Sequence, residues 1–252
     1  MESTRPIRAL IRGLDALTVL NLRNGATVSE VAQDIRLPRT TTYRILETLS
    51  HAGYVYRDPV DDWVTQVARP FLNELTKDIV WPVAIASLSG TSMMVRESTD
   101  HRSPLAVERF SAGFRVPLLT SASGRVFLAF SPSAQRDSLL EILARSSRDT
   151  DKLAANRSEV NKILTEARTQ GYATAVRPRR VTDEITMAVP IQLDDRVLAA
   201  VSVRFSGTAV PMKLAVERFL PKLRETAGNI RATFIEQQRD PPQQHHRPAQ
   251  LR

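Results

Sequence analysis

Along the first third of the chain the apolar residues fall three and four apart. Beyond residue 79 they begin to alternate, and the architecture follows from that change of period. Ile7, Leu10, Ile11, Leu14 and Leu17 mark a helix that begins behind Pro6, ends near Asn24-Gly25, and packs under the helices that follow. Thr27-Val28-Ser29-Glu30 is a capping box, so a second helix starts there with Val31, Ala32 and Ile35 as a narrow apolar stripe. It is short, because Pro38 disfavours helical geometry at Leu37 while suiting the first position of a third helix. At about 100° per residue, the third helix turns Thr42, Ile45, Leu46 and Leu49 to one side and Thr40, Tyr43, Arg44 and Glu47 to the other. Arg39 stands at its exposed start, and Gly53 stops it.

Tyr54 to Arg57 predicts a short strand and Asp58-Pro59 a turn. A helix over 61–78 follows, with Trp63, Val67, Phe71 and Leu75 on one stripe, Asp62 as cap and a kink at Pro70. It is either a linker or dimer helix or an ordinary core helix. Strands are expected from Ile79 to Leu88 and from Thr91 to Glu97, joined through Ser89-Gly90, with extended pieces from Leu105 to Phe110 and from Arg115 to Leu119. Helices follow from Arg125 to Phe130 behind Ser121-Ala122-Ser123-Gly124, from Ala134 to Arg145, and from Ser158 to Gln170, closed by Gly171. Three more strands run from Tyr172 to Val176, Ile185 to Ile191 and Val197 to Phe205, the last two turning at Asp194-Asp195. A long helix from Leu214 to Gln238 completes the pattern. The fold class is α+β: a helical domain over 1–60, the 61–78 helix, an antiparallel-sheet domain with flanking helices over 79–239, and a Pro-, Gln- and His-rich tail over 240–252 expected to be disordered.

Composition narrows the function classes. The 252 residues, 42% of them hydrophobic, suffice for two modest domains. The absence of cysteine excludes disulfides, zinc fingers and thiol catalysis. The start MESTRPIRAL has no apolar signal core, and no stretch reaches the ~20 apolar residues of a membrane span. The expectation is a cytoplasmic protein with no membrane partner. A formal net charge of +8 suits a polyanionic partner, although the charge is spread along the chain.

Two short helices, a tight break and a basic outer face compose a helix-turn-helix, whose second helix enters the major groove of double-stranded DNA. Arg39, Thr40, Thr41, Tyr43 and Arg44 are the candidate DNA-binding residues. An arginine can pair bidentately with guanine, and hydroxyl and methyl groups can meet bases or phosphates. The plainer alternative is a helical hairpin whose threonines and arginines face only water.

In the second domain, Leu198, Ala200, Ser202 and Arg204 are expected on one side of their strand, against Val197, Ala199, Val201, Val203 and Phe205 on the other. Glu184, Thr186, Ala188 and Pro190 form the matching side of the neighbouring strand. If the small and polar faces meet, they line a cleft where Arg204 would pair with a ligand carboxylate and the backbone donors after Ser121 would favour an anion. Otherwise Ser202 and Arg204 lie on the solvent face of a half-buried sheet. Arg177, Arg179 and Arg180 read as a solvated basic loop, and Asp183-Glu184 and Asp194-Asp195 as turn residues. No Gly-rich phosphate loop, zinc-protease helix or nucleophile elbow occurs. His51, His101 and the tail pair His245-His246 have no evident nucleophile beside them, so no catalytic residue, metal site or cofactor is expected.

The ordered succession Ser29-Glu30-Val31-Ala32, Leu37-Pro38-Arg39-Thr40-Thr41, Tyr43-Arg44-Ile45-Leu46, Thr48-Leu49 and Ala52-Gly53-Tyr54-Val55 continues in the second domain. There it runs through Ser121-Ala122-Ser123-Gly124-Arg125, Gly171-Tyr172, Ala188-Val189-Pro190-Ile191 and Ala199-Ala200-Val201-Ser202. Over about residues 5 to 238 this resembles the IclR family of transcriptional regulators. The resemblance implies a winged helix-turn-helix followed by a GAF-like effector-binding domain, assembled as homodimers or tetramers. Residues 63–72 and 77–82 are similar to the family's activators of 3-(3-hydroxyphenyl)propionate catabolism. That similarity implies a small aromatic carboxylic acid as effector, an aromatic-acid catabolic operon as target and RNA polymerase as a further partner. By family position Ser123, Gly124, Thr186, Ser202 and Arg204 belong to the effector site.

The chain also departs from the family pattern. Arg204 stands where some relatives carry serine, and Ala175 or Val176 where some carry an acid; both changes suit a longer, anionic, apolar ligand. Val60-Asp61-Asp62-Trp63 crosses the place of the wing's return strand and the start of the linker helix, so the wing is expected to be truncated. The alternatives are a repressor answering a different small carboxylic acid, a non-specific DNA binder, and an enzyme with a helical dimerisation module.

Overall fold

The computed structural model describes residues 7–23, 26–52, 54–55, 60–107, 109–176 and 183–239. They belong to two units, Met1–Pro59 and Val60–Arg252. Asn24-Gly25, Gly53, the 56–59 part of the expected wing, the basic loop with Arg177, Arg179 and Arg180, and the 240–252 tail lie outside the described residues.

The first unit holds α1 (Arg8–Arg23), α2 (Val28–Asp34) and α3 (Arg39–His51). The capping box forms as its residues demand. The Thr27 amide donates to Glu30 Oε2 at 2.7 Å and the Glu30 amide to Thr27 Oγ1 at 3.3 Å, satisfying two N–H groups that the helix leaves unpaired. The break after α2 places Arg36 at φ 52, in the left-handed region, while the Leu37 amide returns to the Ala32 carbonyl at 3.0 Å. Pro38 then stands just ahead of α3, as its cap residue rather than its first residue.

Ala16, Val31, Ala32 and Thr42 are buried at the centre of this unit. The stripe of α1 expected to pack there does not: Ile7, Leu10, Ile11 and Leu14 are between 44% and 69% exposed, and α1 buries Gly13 and Ala16 instead. The small Gly13 and Ala16 thus face the interior, and the larger residues of the stripe face out of it. Tyr54 and Val55 form a bend rather than a strand, their amides both reaching the Leu49 carbonyl.

The second unit begins with α4 (Val60–Ile79), which continues through Pro70. The sheet comprises β1 (Val83–Ser89), β2 (Ser92–Ser98), β3 (Arg115–Pro117), β4 (Ala173–Val176), β5 (Glu184–Leu193) and β6 (Arg196–Ser206). Every pairing is antiparallel and the spatial order is β3-β2-β1-β6-β5-β4. Between β3 and β4 come α5 (Ala122–Phe130), α6 (Ser133–Ala144), a 3-10 helix (Asp149–Ala155) and α7 (Arg157–Gln170); α8 (Met212–Arg239) closes the chain.

The two faces of the sheet differ in side-chain size. On one, Val83, Ile85, Met187, Val189, Val201, Val203 and Phe205 pack against Val67, Leu72 and Leu75 of α4 and Phe219, Leu223 and Ile230 of α8. On the other, Ala86, Ala173, Ala188 and Ala200 meet Val126 and Phe127 of α5, with Leu140 of α6 and Leu164 of α7 behind them. Small residues on this second face let α5 lie close to β5 and β6.

Three further sequence-based expectations are corrected. Ile79 ends α4 rather than starting a strand, and Val80 at φ 68 breaks the helix, its carbonyl accepting from Ser103 Oγ at 2.6 Å. Leu105 to Phe110 forms no strand where described; its Leu105 amide donates to Ser103 Oγ, its Ala106 amide to the Ser103 carbonyl and its Phe110 amide to Asp100 Oδ2. A bulge in β6 at Leu198, opposite Ile191 and Gln192, moves Val197 to the α5 side of the sheet, so the alternation expected over β6 holds only from Ala199 onward.

Candidate functional site

On α3 the structure separates an inner face from an outer one. Thr42 is fully buried, its hydroxyl donating to the Pro38 carbonyl at 3.2 Å, which satisfies the polar atom that burial would leave stranded. Arg39, Thr40, Tyr43, Arg44 and Glu47 are exposed, and Thr41 is half-buried. The Tyr43 hydroxyl donates to Glu47 Oε1 at 2.8 Å, one helical turn on, and this fixes the ring along the outer face. Two guanidinium groups and two hydroxyls thus lie on one accessible strip, the chemistry that major-groove edges and phosphates require.

In the second unit, Thr186 and Arg204 are direct cross-strand partners on β5 and β6, and Ser202 lies opposite both Ala188 and Ala84. This is the small-residue face that α5 covers. The helix α5, whose first turn carries Ser123 and Gly124, packs over the same two strands. Of the five predicted effector-site residues, Thr186, Ser202 and Arg204 therefore share one sheet face, and Ser123 and Gly124 belong to the helix that covers it. Ser202 and Arg204 are 9% and 7% exposed, which removes the solvent-face alternative.

Closer contacts change what these residues can do. The Gly124 amide donates to Ser121 Oγ at 3.1 Å, and a Cβ on Gly124 would collide with the Leu118 backbone. Its small size serves the close approach of α5 to the preceding segment. The Ser123 hydroxyl is 3.4 Å from that of Ser121, and the Ser202 hydroxyl donates to the Ala84 carbonyl at 3.4 Å. Arg125 clamps the same region, its Nε donating to the Leu119 carbonyl at 3.0 Å and Nη1 to the Thr174 carbonyl at 2.7 Å. Burial lowers the Arg125 pKa, against the raising influence of the Glu166 charge, and the group stays cationic.

Arg204 is not an uncommitted cation. Its Nη2 lies 2.5 Å from Asp100 Oδ1, its Nη1 lies 3.2 Å from Glu184 Oε2, and its guanidinium carbon sits 4.2 Å from the centroid of the Phe110 ring. Asp100 and Glu184 are buried with it. A cleft of about 310 Å3 opens beside this group, lined by Glu97, Ser98, Asp100, His101, Arg109 and Phe110 among others.

Asp100, Phe110 and Glu184 were not singled out from the sequence. Glu184 carried a signal, because it shares the polar side of its strand with Thr186, yet it reads as a turn residue; in the structure it opens β5. Asp183 does lie in the turn, accepting from Ser206 Oγ and from the Thr208 amide. Nothing local signals Asp100 or Phe110, which are brought to Arg204 across most of the unit. Among the described residues, no three histidine, aspartate or glutamate side chains converge as a metal would need, and no helix is long and apolar enough to cross a membrane.

Comparison with known proteins follows the same two-part division. The IclR helix-turn-helix domain matches residues 9–59, and the C-terminal domain of the bacterial transcriptional regulator IclR matches residues 61–232. The chain is 27% identical over 249 residues to the probable transcriptional regulator SauR of Cupriavidus necator, covering 90% of this chain and 97% of that protein. It is 28% identical over 251 residues to the transcriptional repressor AllR of Klebsiella pneumoniae, covering 88% of each. Among solved structures, an IclR homolog of Microbacterium hydrocarbonoxydans complexed with 4-hydroxybenzoate matches with a TM-score of 0.59 at 20% identity, over 90% of this chain and 99% of that one.

Proposed function

The chain belongs to the IclR family of bacterial transcriptional regulators, and we propose on that footing that it activates an aromatic-acid catabolic operon in response to a small aromatic carboxylate. Members of the family regulate transcription rather than catalyse reactions, so the enzyme reading is set aside. The observation that carries the DNA half is the outer face of α3, where Arg39, Thr40, Tyr43 and Arg44 are exposed above a buried Thr42. Two such helices in a homodimer, or in each half of a tetramer, would meet half-sites about 34 Å apart on one side of the duplex. The unpartnered α1 stripe of Ile7, Leu10, Ile11 and Leu14 favours such an assembly.

The effector half rests on the face carrying Ser123, Thr186, Ser202 and Arg204 beside Phe110, which offers a cation and an aromatic neighbour to an aryl carboxylate. The 4-hydroxybenzoate bound by a structural relative belongs to the same chemical class. Ligand binding would change transcription by favouring one arrangement of the dimer, which requires different affinities for the two arrangements. RNA polymerase is the further partner of an activator.

The repressor relatives support a second reading, in which the same site answers a carboxylic acid by releasing DNA. A reporter driven from the region beside the protein's own gene distinguishes the two. With the gene deleted, expression falls for an activator and rises for a repressor. Purified protein should bind that region in preference to random duplex at matched salt, and an aromatic acid should shift the binding curve. Equal affinity for both duplexes would make it a non-specific binder.

A further inference from the structure

The guanidinium of Arg204 already has what an aryl carboxylate would offer it: a carboxylate on its edge and a ring on its face. Asp100 supplies the first at 2.5 Å and Phe110 the second at 4.2 Å. These two residues are tied to each other, since the Phe110 amide donates to Asp100 Oδ2 at 2.5 Å. Glu184, the other anionic partner, is of a different kind. It is part of β5, paired across the sheet with Ser206, so its backbone is held in the β5–β6 ladder. Asp100 lies beyond the end of β2, and residues 109–114 form a loop up to β3, a strand of three residues.

We propose that Asp100 and Phe110 are an internal stand-in for the effector, and that a carboxylate ligand reaches Arg204 only by displacing them together. This deepens the effector reading above and rests on it. Two buried carboxylates already face one guanidinium. A third carboxylate added without a departure would place surplus negative charge where little water screens it. The exchange keeps the ionic balance: the ligand carboxylate takes the position of Asp100, its ring takes that of Phe110, and Glu184 stays. The cleft lined by Glu97, Ser98, His101 and Arg109 lies against both displaced residues and gives an approach beside them. Observed affinity is then the intrinsic affinity reduced by the fraction of molecules in which the stand-in is withdrawn.

The experiment uses the full chain. Titration calorimetry with 4-hydroxybenzoate, 3-phenylpropionate and propionate is run on the wild type, Asp100→Asn, Phe110→Ala, Phe110→Leu and Arg204→Gln. Amide exchange over 109–114 is recorded with and without saturating acid. Asp100→Asn keeps an oxygen for the Phe110 amide, and Phe110→Leu keeps an apolar cover, so neither variant depends on tolerance of a cavity. The expected result is aryl-acid affinity raised at least ~10-fold in Asp100→Asn and Phe110→Ala, raised less in Phe110→Leu and lost in Arg204→Gln. The 109–114 amides should exchange faster in the saturated wild type.

If aryl acids bind the wild type as tightly as they bind Asp100→Asn and Phe110→Ala, or if 109–114 gains protection, the stand-in is overturned while the aryl-acid reading survives. If only propionate binds, and more tightly to both released variants, the stand-in holds and the aromatic-acid reading falls. Should no acid bind any of the proteins, both are overturned.

Discussion

Gly124 lies so close to the backbone of Leu118 that no side chain can be built on it without moving the segment that leads into α5. The residue belongs to a stretch that resembles the family's pattern and was expected in the effector site, yet its close contact is with its own chain. Gly124→Ala should therefore destabilise the second unit by about 1–3 kcal/mol through overpacking. Chemical denaturation would measure that loss. Any drop in ligand response should track the loss of folded protein; a response abolished at unchanged stability would return Gly124 to the ligand.

The capping box at the start of α2 gives a second expectation. Thr27→Ala removes the acceptor for the Glu30 amide and the hydroxyl that donates to Glu30 Oε2 at 2.8 Å. The cost should be ~1 kcal/mol, the usual worth of an N-cap hydroxyl. The lost hydrogen bonds lie within the first unit, so amide exchange in α2 and α3 should rise while exchange in β5 and β6 stays unchanged.

Arg44 carries the sharpest prediction for DNA. It is exposed on the outer face of α3. Arg44→Ala should weaken operator binding by ~1–3 kcal/mol, roughly 10- to 100-fold. If Arg44 reads a base, discrimination at one position relaxes and the salt dependence changes little. If it meets a phosphate, affinity for all sequences falls and the slope of log K against log salt shrinks by about 1. Fluorescence anisotropy at several salt concentrations separates the two, and an unchanged titration at every salt would remove Arg44 from the reading face.

Asp183 links stability to pH. Its pKa is depressed, first by the Ser206 hydroxyl and then by the Thr208 amide, with desolvation opposing. A carboxylate with a lower pKa when folded contributes its stabilisation above the unfolded pKa and loses it as pH falls through the folded value. The difference in thermal stability between the wild type and Asp183→Asn should therefore be present at neutral pH and close below the ordinary carboxylate range. A difference that persists in acid would assign the effect to packing.

The helix-turn-helix was legible because its signals are local. A capping box, a proline and a 3.6-residue alternation of buried and exposed side chains act within a few residues of each other, and the face assignment made for Thr42, Tyr43 and Arg44 matches the structure. The sheet was legible for a similar reason, since the split between Thr186 and Met187, or Ser202 and Val203, follows from the two-residue pleat. The same reasoning failed for Val197, where a bulge inserts a residue that no propensity announces, and for α1, where period alone does not say which side finds a partner.

By itself the sequence determined most of the helices and strands, which side of α3 carries polar groups, and that Thr186, Ser202 and Arg204 share one side of their strands. Only the tertiary structure decided the state of the candidate site. Whether a buried arginine awaits a ligand or is already neutralised depends on residues such as Asp100 and Phe110, which lie far from it along the chain and are delivered by strand order and loop path. Electrostatic pairing acts through space across a few ångströms, and periodicity along a chain carries no record of it.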